Sequence, residues 1–162
     1  MALNSYLKLK GQKQGDIKGS VTQKGREGTI MVIGFHHEVV SPRDSSTGLA
    51  TGKRIHTPFI ITKEIDKSTP LLYSALANNE NLTTWELHCF ALKSAGVEVN
   101  NYTVLLTNAR IVDINSNMLN NKMSENAKLP IMEQVSFVYQ KIKWTWTDGG
   151  ISSEDDWVSP VT

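Results

Sequence analysis

Residues 84–89, with the sequence Thr-Trp-Glu-Leu-His-Cys, decide the fold class of this chain. Apolar and polar side chains alternate along this stretch, and a period of two places them on opposite faces of a β-strand. Residues 102–114 form a second strand-like stretch, which follows an intervening glycine, Gly96. We therefore predict an antiparallel hairpin over residues 83–114 that turns near this glycine.

Strand-like stretches recur on both sides of this hairpin. Residues 3–9, 30–40, 59–65 and 135–146 are rich in leucine, β-branched or aromatic side chains. In the last of these the apolar residues change phase near Gln140, which predicts a β-bulge or a sharp bend. The chain contains 12 isoleucines, 12 valines and 14 threonines but only 8 alanines, and this balance favours strands over helices. We predict a mainly β protein.

One helix interrupts the strands. Residues 68–70, Ser-Thr-Pro, place hydroxyl side chains before a proline, a combination typical of a helix N-terminus. Leu72 and Ala75 follow at helical spacing and would share one buried side. We predict a single short α-helix over about residues 70–79.

The segment from Ser41 to Thr57, called the arm below, connects two predicted strands. It contains Pro42, Gly48 and Gly52 and is longer than most connections in compact domains. A connection of this length without secondary structure of its own usually has a function or is disordered. The arm is therefore the first candidate functional segment.

Charge and hydropathy exclude two classes of partner. Seventeen Lys and Arg residues against sixteen Asp and Glu residues leave a formal net charge of +1, so no overall field attracts nucleic acid or an anionic membrane. Residues 1–8 lack the apolar run of a signal peptide, and the longest apolar run, residues 30–35, is too short to span a bilayer. We predict no nucleic-acid binding, no membrane insertion and no signal peptide.

The motifs that could carry chemistry are weak. Residues 48–53, Gly-Leu-Ala-Thr-Gly-Lys, have three residues between their glycines where a phosphate-binding loop has four. His36 and His37 are adjacent, so a regular strand would point them to opposite faces, away from a shared metal. Cys89 lies on a predicted apolar face, where a thiol is not nucleophilic. We predict no catalytic residue, no metal site and no cofactor.

Four large aromatic residues fall on apolar faces of the predicted strands: Trp85, Phe137, Trp144 and Trp146. The last two alternate with lysine and threonine, which is typical of a half-buried strand. A stacking platform for sugars or bases is the alternative. We predict that all four lie in the core or at a subunit interface.

Four parts of the chain, taken in order, resemble one known family. They are the arm continued to Phe59, the helix entry from Lys63 to Leu76, the strand from Ala109 to Ile114, and an ending made of Tyr139 to Trp144 and Asp155 to Trp157. These residues resemble Hcp, the haemolysin-coregulated tube protein of bacterial type VI secretion. The resemblance covers essentially the whole chain.

This resemblance implies two packed antiparallel sheets that form a β-barrel with one short helix and a long extended arm loop. It also implies homo-hexameric rings that stack into a hollow tube, in which the arm contacts the neighbouring ring. Ring formation would cover the exposed edges of long strands, which otherwise favour aggregation. The residues expected in the ring-stacking arm are Arg43, Asp44, Gly48, Gly52, Lys53 and Arg54.

The resemblance further implies the partners of such a tube. They are a type VI spike protein, a contractile sheath that drives the tube out, and small effectors carried in the lumen. We expect the chain in the bacterial cytoplasm and then outside the cell, exported through the type VI apparatus. Because the sequence stops at Thr162, we expect one tube-subunit domain, residues 1–162, without an appended effector domain and without enzymatic activity.

Two other functions remain open from the residues alone. One is a small-ligand-binding β-barrel with a pocket inside the monomer, and the other is a hydrolase with an unrecognised site. A ligand pocket needs a large apolar interior, whereas the aromatic residues of this chain, such as Phe59 and Trp85, are numerous enough to fill a small barrel. A solid interior is therefore favoured.

Overall fold

The computed structural model describes residues 1–159 and contains two main antiparallel sheets. The strands are β1 (Ser5–Gly11), β2 (Gly15–Ile17), β3 (Ile30–Val32), β4 (Gly34–His36), β5 (Val39–Val40), β6 (Ile55–His56), β7 (Phe59–Glu64), β8 (Leu82–Leu92), β9 (Glu98–Thr107), β10 (Arg110–Asn117), β11 (Met132–Val138), β12 (Lys141–Trp146) and β13 (Ile151–Asp156). The α-helix α1 spans Thr69–Ala77, and two short 3-10 helices span Ser124–Asn126 and Asp148–Gly150.

The larger sheet has seven strands in the order β13-β12-β9-β8-β1-β2, and β3 also pairs with β1. The smaller sheet has the order β10-β11-β7-β4, while β5 and β6 form a separate two-stranded sheet. The predicted mainly β class, with two packed antiparallel sheets and one short α-helix, is confirmed. The two sheets face each other and do not close into a continuous barrel.

The core lies between the two sheets and is filled with aromatic and aliphatic side chains. Trp85 of the larger sheet packs edge-on against Phe59 and Phe137 of the smaller sheet, with ring centroids 5.0 and 5.5 Å apart. All three side chains are essentially inaccessible to solvent. Helix α1 adds Leu72 and Ala75 to the same core. Burying each large apolar side chain contributes about 1.5–3 kcal/mol, so this contact holds the two sheets together.

A buried ion pair joins helix α1 to the smaller sheet. Lys63 on β7 and Glu133 on β11 are cross-strand partners, and the Lys63 ammonium donates to Glu133 Oε1. Thr69, the first helical residue, donates its hydroxyl to the same oxygen over 2.8 Å. Asp66 lies 3.1 Å from the Lys63 ammonium. Both members of the Lys63–Glu133 pair are almost completely buried, so Glu133 depends on the Lys63 ammonium for its charge balance.

Helix α1 begins one residue earlier and ends two residues earlier than predicted. The Ser68 hydroxyl donates to Asp66 Oδ1 and accepts no capping hydrogen bond from the first turn of the helix. Asn79, with φ of 48°, follows the helix in the left-handed region, which asparagine tolerates better than most residues. No helix within residues 1–159 is long and apolar enough to cross a membrane.

The predicted strand over residues 102–114 is wrong as a single element. Strand β9 ends at Thr107 in the larger sheet, and β10 begins at Arg110 in the smaller one. Asn108, with φ of 51°, lies at the turn between them. Apolar residues continue on both sides of the turn, so the hydrophobic pattern does not reveal that the chain changes sheets.

The chain passes directly from a strand of one sheet to a strand of the other at two further places. Residues 30–40 are not one long strand, because β3 pairs in the larger sheet, β4 pairs in the smaller sheet, and β5 pairs with β6. The phase change near Gln140 marks a bend where the chain leaves β11 of the smaller sheet and enters β12 of the larger sheet. Each crossing ties the two sheets together covalently.

Strand β13 was not predicted. Its sequence, Ile-Ser-Ser-Glu-Asp-Asp, is almost entirely polar, and most of its residues are exposed because it is the edge strand beside β12. An edge strand with two wetted faces carries no alternating hydrophobic pattern. This strand nevertheless brings Asp155 to the base of the arm.

Candidate assembly surfaces

The arm is a hairpin and not an irregular loop. At its base, β5 and β6 pair through Val39 with His56 and Val40 with Ile55. Further out, Arg43 and Ala50 form an isolated antiparallel bridge. The long connection therefore has a backbone structure of its own, which a disordered insertion would lack.

The tip of the arm is held by Asp44. Its carboxylate accepts hydrogen bonds from the backbone N–H groups of Ser46 and Thr47, over 2.9 and 2.8 Å, and from the Thr47 hydroxyl. The backbone N–H of Thr47 contributes most to lowering the pKa of Asp44. Gly48, with φ of 72°, occupies a backbone conformation that side chains disfavour. The tip is thus shaped before any partner arrives.

The six predicted arm residues differ in what they present. Arg43, Gly48, Gly52 and Lys53 are exposed, so the two cations are accessible to a partner. The arm also exposes Leu49, at 69%, and it exposes Ile55, at 52%. These apolar residues were not among the predicted arm contacts, although isolated apolar residues in a polar loop are a signal that could have indicated them. The arm therefore offers both charge and apolar surface.

Arg54 points back to the protein body. Its guanidinium donates two hydrogen bonds to the Asp155 carboxylate, with lengths of 2.5 and 2.7 Å, and a third to the Asp156 carbonyl. The pair lowers the pKa of Asp155, chiefly through the hydrogen bonds from Arg54. This contact was not predictable because the sequence of β13 carries no strand signal. Arg54 therefore fixes the arm base, and its predicted part in ring stacking stays a prediction.

An apolar groove of about 420 Å³ lies on the smaller sheet. Ile33, Leu119, Leu129 and Met132 line it, and Leu119 and Leu129 come from the connection between β10 and β11. Ile33, Leu119 and Leu129 are largely exposed. Contiguous exposed apolar surface of this kind marks contact sites between proteins.

A second groove, of about 560 Å³, lies at the end of the larger sheet. Leu3, Phe35, Tyr102 and Trp146 are among its lining residues. Trp146 pairs across the strands with Tyr102, and its side chain remains 47% exposed. This groove is the second apolar surface available to a partner.

The four predicted aromatic residues occupy three environments. Trp85 and Phe137 are buried in the core, Trp144 packs against the core and stays partly exposed, and Trp146 lines the second groove. The alternation that placed these residues on strands does not distinguish between them. Their depth depends on which strand covers them.

Substituting two of these tryptophans should distinguish a side chain buried in the core from one exposed in a groove. We expect Trp85→Ala to lower the free energy of unfolding by about 3–5 kcal/mol because it leaves a cavity between the sheets. Trp146→Ala should lower it by only about 1 kcal/mol. Urea unfolding followed by circular dichroism, at a protein concentration low enough for the chain to be monomeric, measures both. Equal losses in the two variants would contradict the assignment of Trp146 to an exposed groove.

Cys89 and His88 are neighbours on β8 but contact different partners. Cys89 is half-buried, it accepts a hydrogen bond from the Ser5 hydroxyl over 3.3 Å, and burial raises the pKa of its thiol. His88 lies 3.3 Å from Glu86. Within the part of the chain that the structure describes, no three His, Cys, Asp or Glu side chains are placed to bind one metal ion.

Comparisons with known proteins agree on one family. The family model described as type VI secretion system effector, Hcp, matches residues 6–146. The major exported protein of Pseudomonas aeruginosa is 42% identical over 170 residues, which cover 99% of each chain. A sequence match of this extent places the two chains in one family.

Solved structures support the same assignment. A crystal structure of an Hcp protein matches with a TM-score of 0.90 and 33% identity, covering 97% of this chain and 99% of that one. A doubly substituted Hcp1 from Escherichia coli matches with a TM-score of 0.84 and 40% identity, over 96% and 99% of the two chains. Secreted protein Hcp3 from Pseudomonas aeruginosa matches with a TM-score of 0.76 and 36% identity, over 94% and 99%. The chain therefore belongs to the Hcp family of type VI secretion proteins.

Proposed function

We propose that this protein is the subunit of a type VI secretion tube. In this proposal six copies form a ring, rings stack into a hollow tube, and the tube is exported. The observation that carries it is the distribution of exposed apolar residues, which gather in two grooves on the sheets and on the arm. A monomer that worked alone would leave these surfaces in water without a function.

The grooves are proposed as the contacts within a ring. A heterologous contact uses two different surfaces of each subunit and closes into a ring when the rotation is complete. The smaller-sheet groove, lined by Leu119 and Leu129, and the larger-sheet groove, lined by Trp146, supply two such surfaces. Covering them would also protect neighbouring sheet edges such as β13.

The arm is proposed as the contact between rings. Its exposed Arg43 and Lys53 suit acidic groups on a neighbouring ring, and its exposed Leu49 suits an apolar recess. The Arg54–Asp155 pair would then serve to fix the direction of the hairpin. Preordering a contact segment lowers the entropy lost on binding.

The remaining parts of the proposal follow from family membership. The partners are a spike protein, a contractile sheath and small effectors in the lumen, and export takes place through the type VI apparatus. The role is structural and not enzymatic, and residues 1–162 act as one domain. A pocket for a small ligand inside the subunit is not favoured, because Trp85, Phe59 and Phe137 fill the space between the sheets.

Export in the host bacterium tests this proposal. The chain should appear in the culture medium of a strain with an active type VI apparatus and stay inside cells of a matched strain that lacks the contractile sheath. A cytoplasmic marker protein in both cultures controls for lysis. Equal release from the two strains would show that the chain leaves by another route and would contradict the proposal.

A further inference from the structure

A chain of hydrogen bonds runs through the base of the arm. His37 Nε2 lies 2.6 Å from the Tyr139 hydroxyl oxygen, and His56 Nδ1 lies 2.8 Å from the same oxygen. His56 Nε2 lies 2.7 Å from Asp155 Oδ2, which also accepts from Arg54. The four linked groups, His37, Tyr139, His56 and Asp155, are called the latch below.

The latch connects both strands of the arm base to the protein body. His37 lies between β4 and β5, two residues before β5 begins, and His56 ends β6, so each side of the hairpin contributes one imidazole. Tyr139 lies at the bend between β11 and β12, and Asp155 lies on β13. His56 and Tyr139 are buried, and the Trp157 ring stacks on His56.

The donor and acceptor atoms of these groups fix the direction of each hydrogen bond in the latch. A carboxylate only accepts, so His56 Nε2–H donates to Asp155. In the neutral imidazole, His56 Nδ1 then accepts the Tyr139 O–H, and the Tyr139 oxygen accepts from His37 Nε2–H. Burial raises the pKa of Tyr139, which keeps its proton available for donation. Every donor in this arrangement has an acceptor while His37 is neutral.

The surroundings of His37 disfavour a positive charge. Its ring stacks on Phe59 with centroids 5.0 Å apart and lies near Trp144. The ionisable groups that surround the latch are His36 and Glu38 beside it in sequence, Arg54 and His56 on the returning strand, Tyr139 at the bend, and Asp155 and Asp156 on β13. Asp155 contacts His56 and Arg54, and Glu38 is 4.0 Å from His36, so neither carboxylate pairs with His37.

We propose that the latch is a pH-sensitive device that holds the arm base at neutral pH and releases it in acid. This inference concerns the order of the arm within one subunit and does not depend on ring stacking. When His37 takes up a proton at Nδ1, its Nε2–H still donates to Tyr139, but the half-buried cation lies against the Phe59 ring. Opening of the arm base hydrates this cation more fully and is therefore favoured in acid. In an assembled tube the same event would loosen the arm contacts between rings.

The direction of the effect follows from linkage. Burial, together with the charges of His56 and His36, lowers the pKa of His37 from 6.5 to about 4. The open arm base, in which His37 is hydrated, therefore binds more protons than the closed one in this interval. The latch is fully effective above about pH 6.5 and weakens as the pH falls toward about 4.

Hydrogen exchange of the arm tests this inference. Mass spectrometry measures amide exchange in peptides that cover residues 38–57, at about pH 8 and about pH 5. The rates are expressed as protection factors, which remove the pH dependence of the chemical exchange rate. We expect the wild-type arm base to lose protection about tenfold or more at the lower pH. His37→Gln should keep its protection, because the amide can replace Nε2 but does not titrate. His36→Gln, which changes the exposed neighbour, should behave as the wild type does.

Tyr139→Phe gives a second test that does not require glutamine to fit the site. Without the hydroxyl, the arm base should be weakly protected at both pH values, and the pH-dependent loss should disappear. An equal protection of the wild-type arm at both pH values would overturn the inference. So would a tenfold loss that persists in His37→Gln, since the titrating group would then be another residue, or one that persists in Tyr139→Phe.

Discussion

Replacing Arg43–Gly52 with a short Gly-Ser turn is expected to abolish stacked tubes and leave single rings intact. The replaced segment contains the exposed tip of the arm, with its cations and Leu49. It excludes the β5–β6 pair and the Arg54–Asp155 contact, so the arm base should remain folded. Electron micrographs of the purified variant report tubes and rings, and the culture medium of a complemented null strain reports export, which should also be lost.

Ser45→Ala is a suitable control for this variant. Ser45 is exposed on the same hairpin, and the substitution changes the side chain without changing the length of the arm. It should form tubes as the wild type does. Normal tubes and normal export by the shortened variant would show that the arm is a tolerated insertion. The contacts between rings would then have to be sought in the connection of residues 118–131.

Lys63→Met is expected to lower the free energy of unfolding by about 3–5 kcal/mol. The substitution removes the cation from a buried pair and leaves the Glu133 carboxylate without charge balance. Glu133 Oε2 is already buried without a hydrogen-bond partner, so the carboxylate has no other donor to compensate on that side. Urea unfolding at a fixed protein concentration measures the change, since any assembly adds concentration-dependent stability.

The double variant Lys63→Met/Glu133→Leu separates charge from packing. Replacing both members of a buried pair with apolar residues is often close to neutral, so this variant should recover most of the lost stability. Lys67→Met, which removes an exposed cation two residues before the helix, should change stability by about 0.5 kcal/mol or less. A single Lys63 variant as stable as Lys67→Met would contradict the account of the buried pair.

The fold class was predictable because alternation is a local property. Residues 84–89 alternate in the sequence and lie on β8, with Trp85 and Leu87 inside and their neighbours less buried. Of the direct strand-to-strand crossings between sheets, the phase change near Gln140 indicated one, and the other two were not predictable from this pattern. Apolar residues lie on both sides of Asn108 and run through Ile33, so the hydrophobic signal is the same whether the chain stays in one sheet or changes to the other.

The candidate surfaces were predictable only in part. The length of the arm indicated a functional segment, and the resemblance indicated its family, which the comparisons confirm. Two residues that contact the arm base could not be identified from the sequence. Tyr139 follows a predicted strand and looks like any other residue of it, and Asp155 belongs to a polar stretch. Their contact with the arm spans about a hundred residues of sequence separation. Such pairings depend on the whole fold and leave no local signal.

Native mass spectrometry of the purified protein tests the central claim most directly. The proposal predicts a dominant species that contains six copies of the 18.0 kDa chain. This species should persist when the ionic strength is raised, because apolar burial and backbone hydrogen bonds are not screened as exposed ion pairs are. A spectrum that shows only monomer at micromolar concentration would contradict the account of this chain as a ring-forming tube subunit.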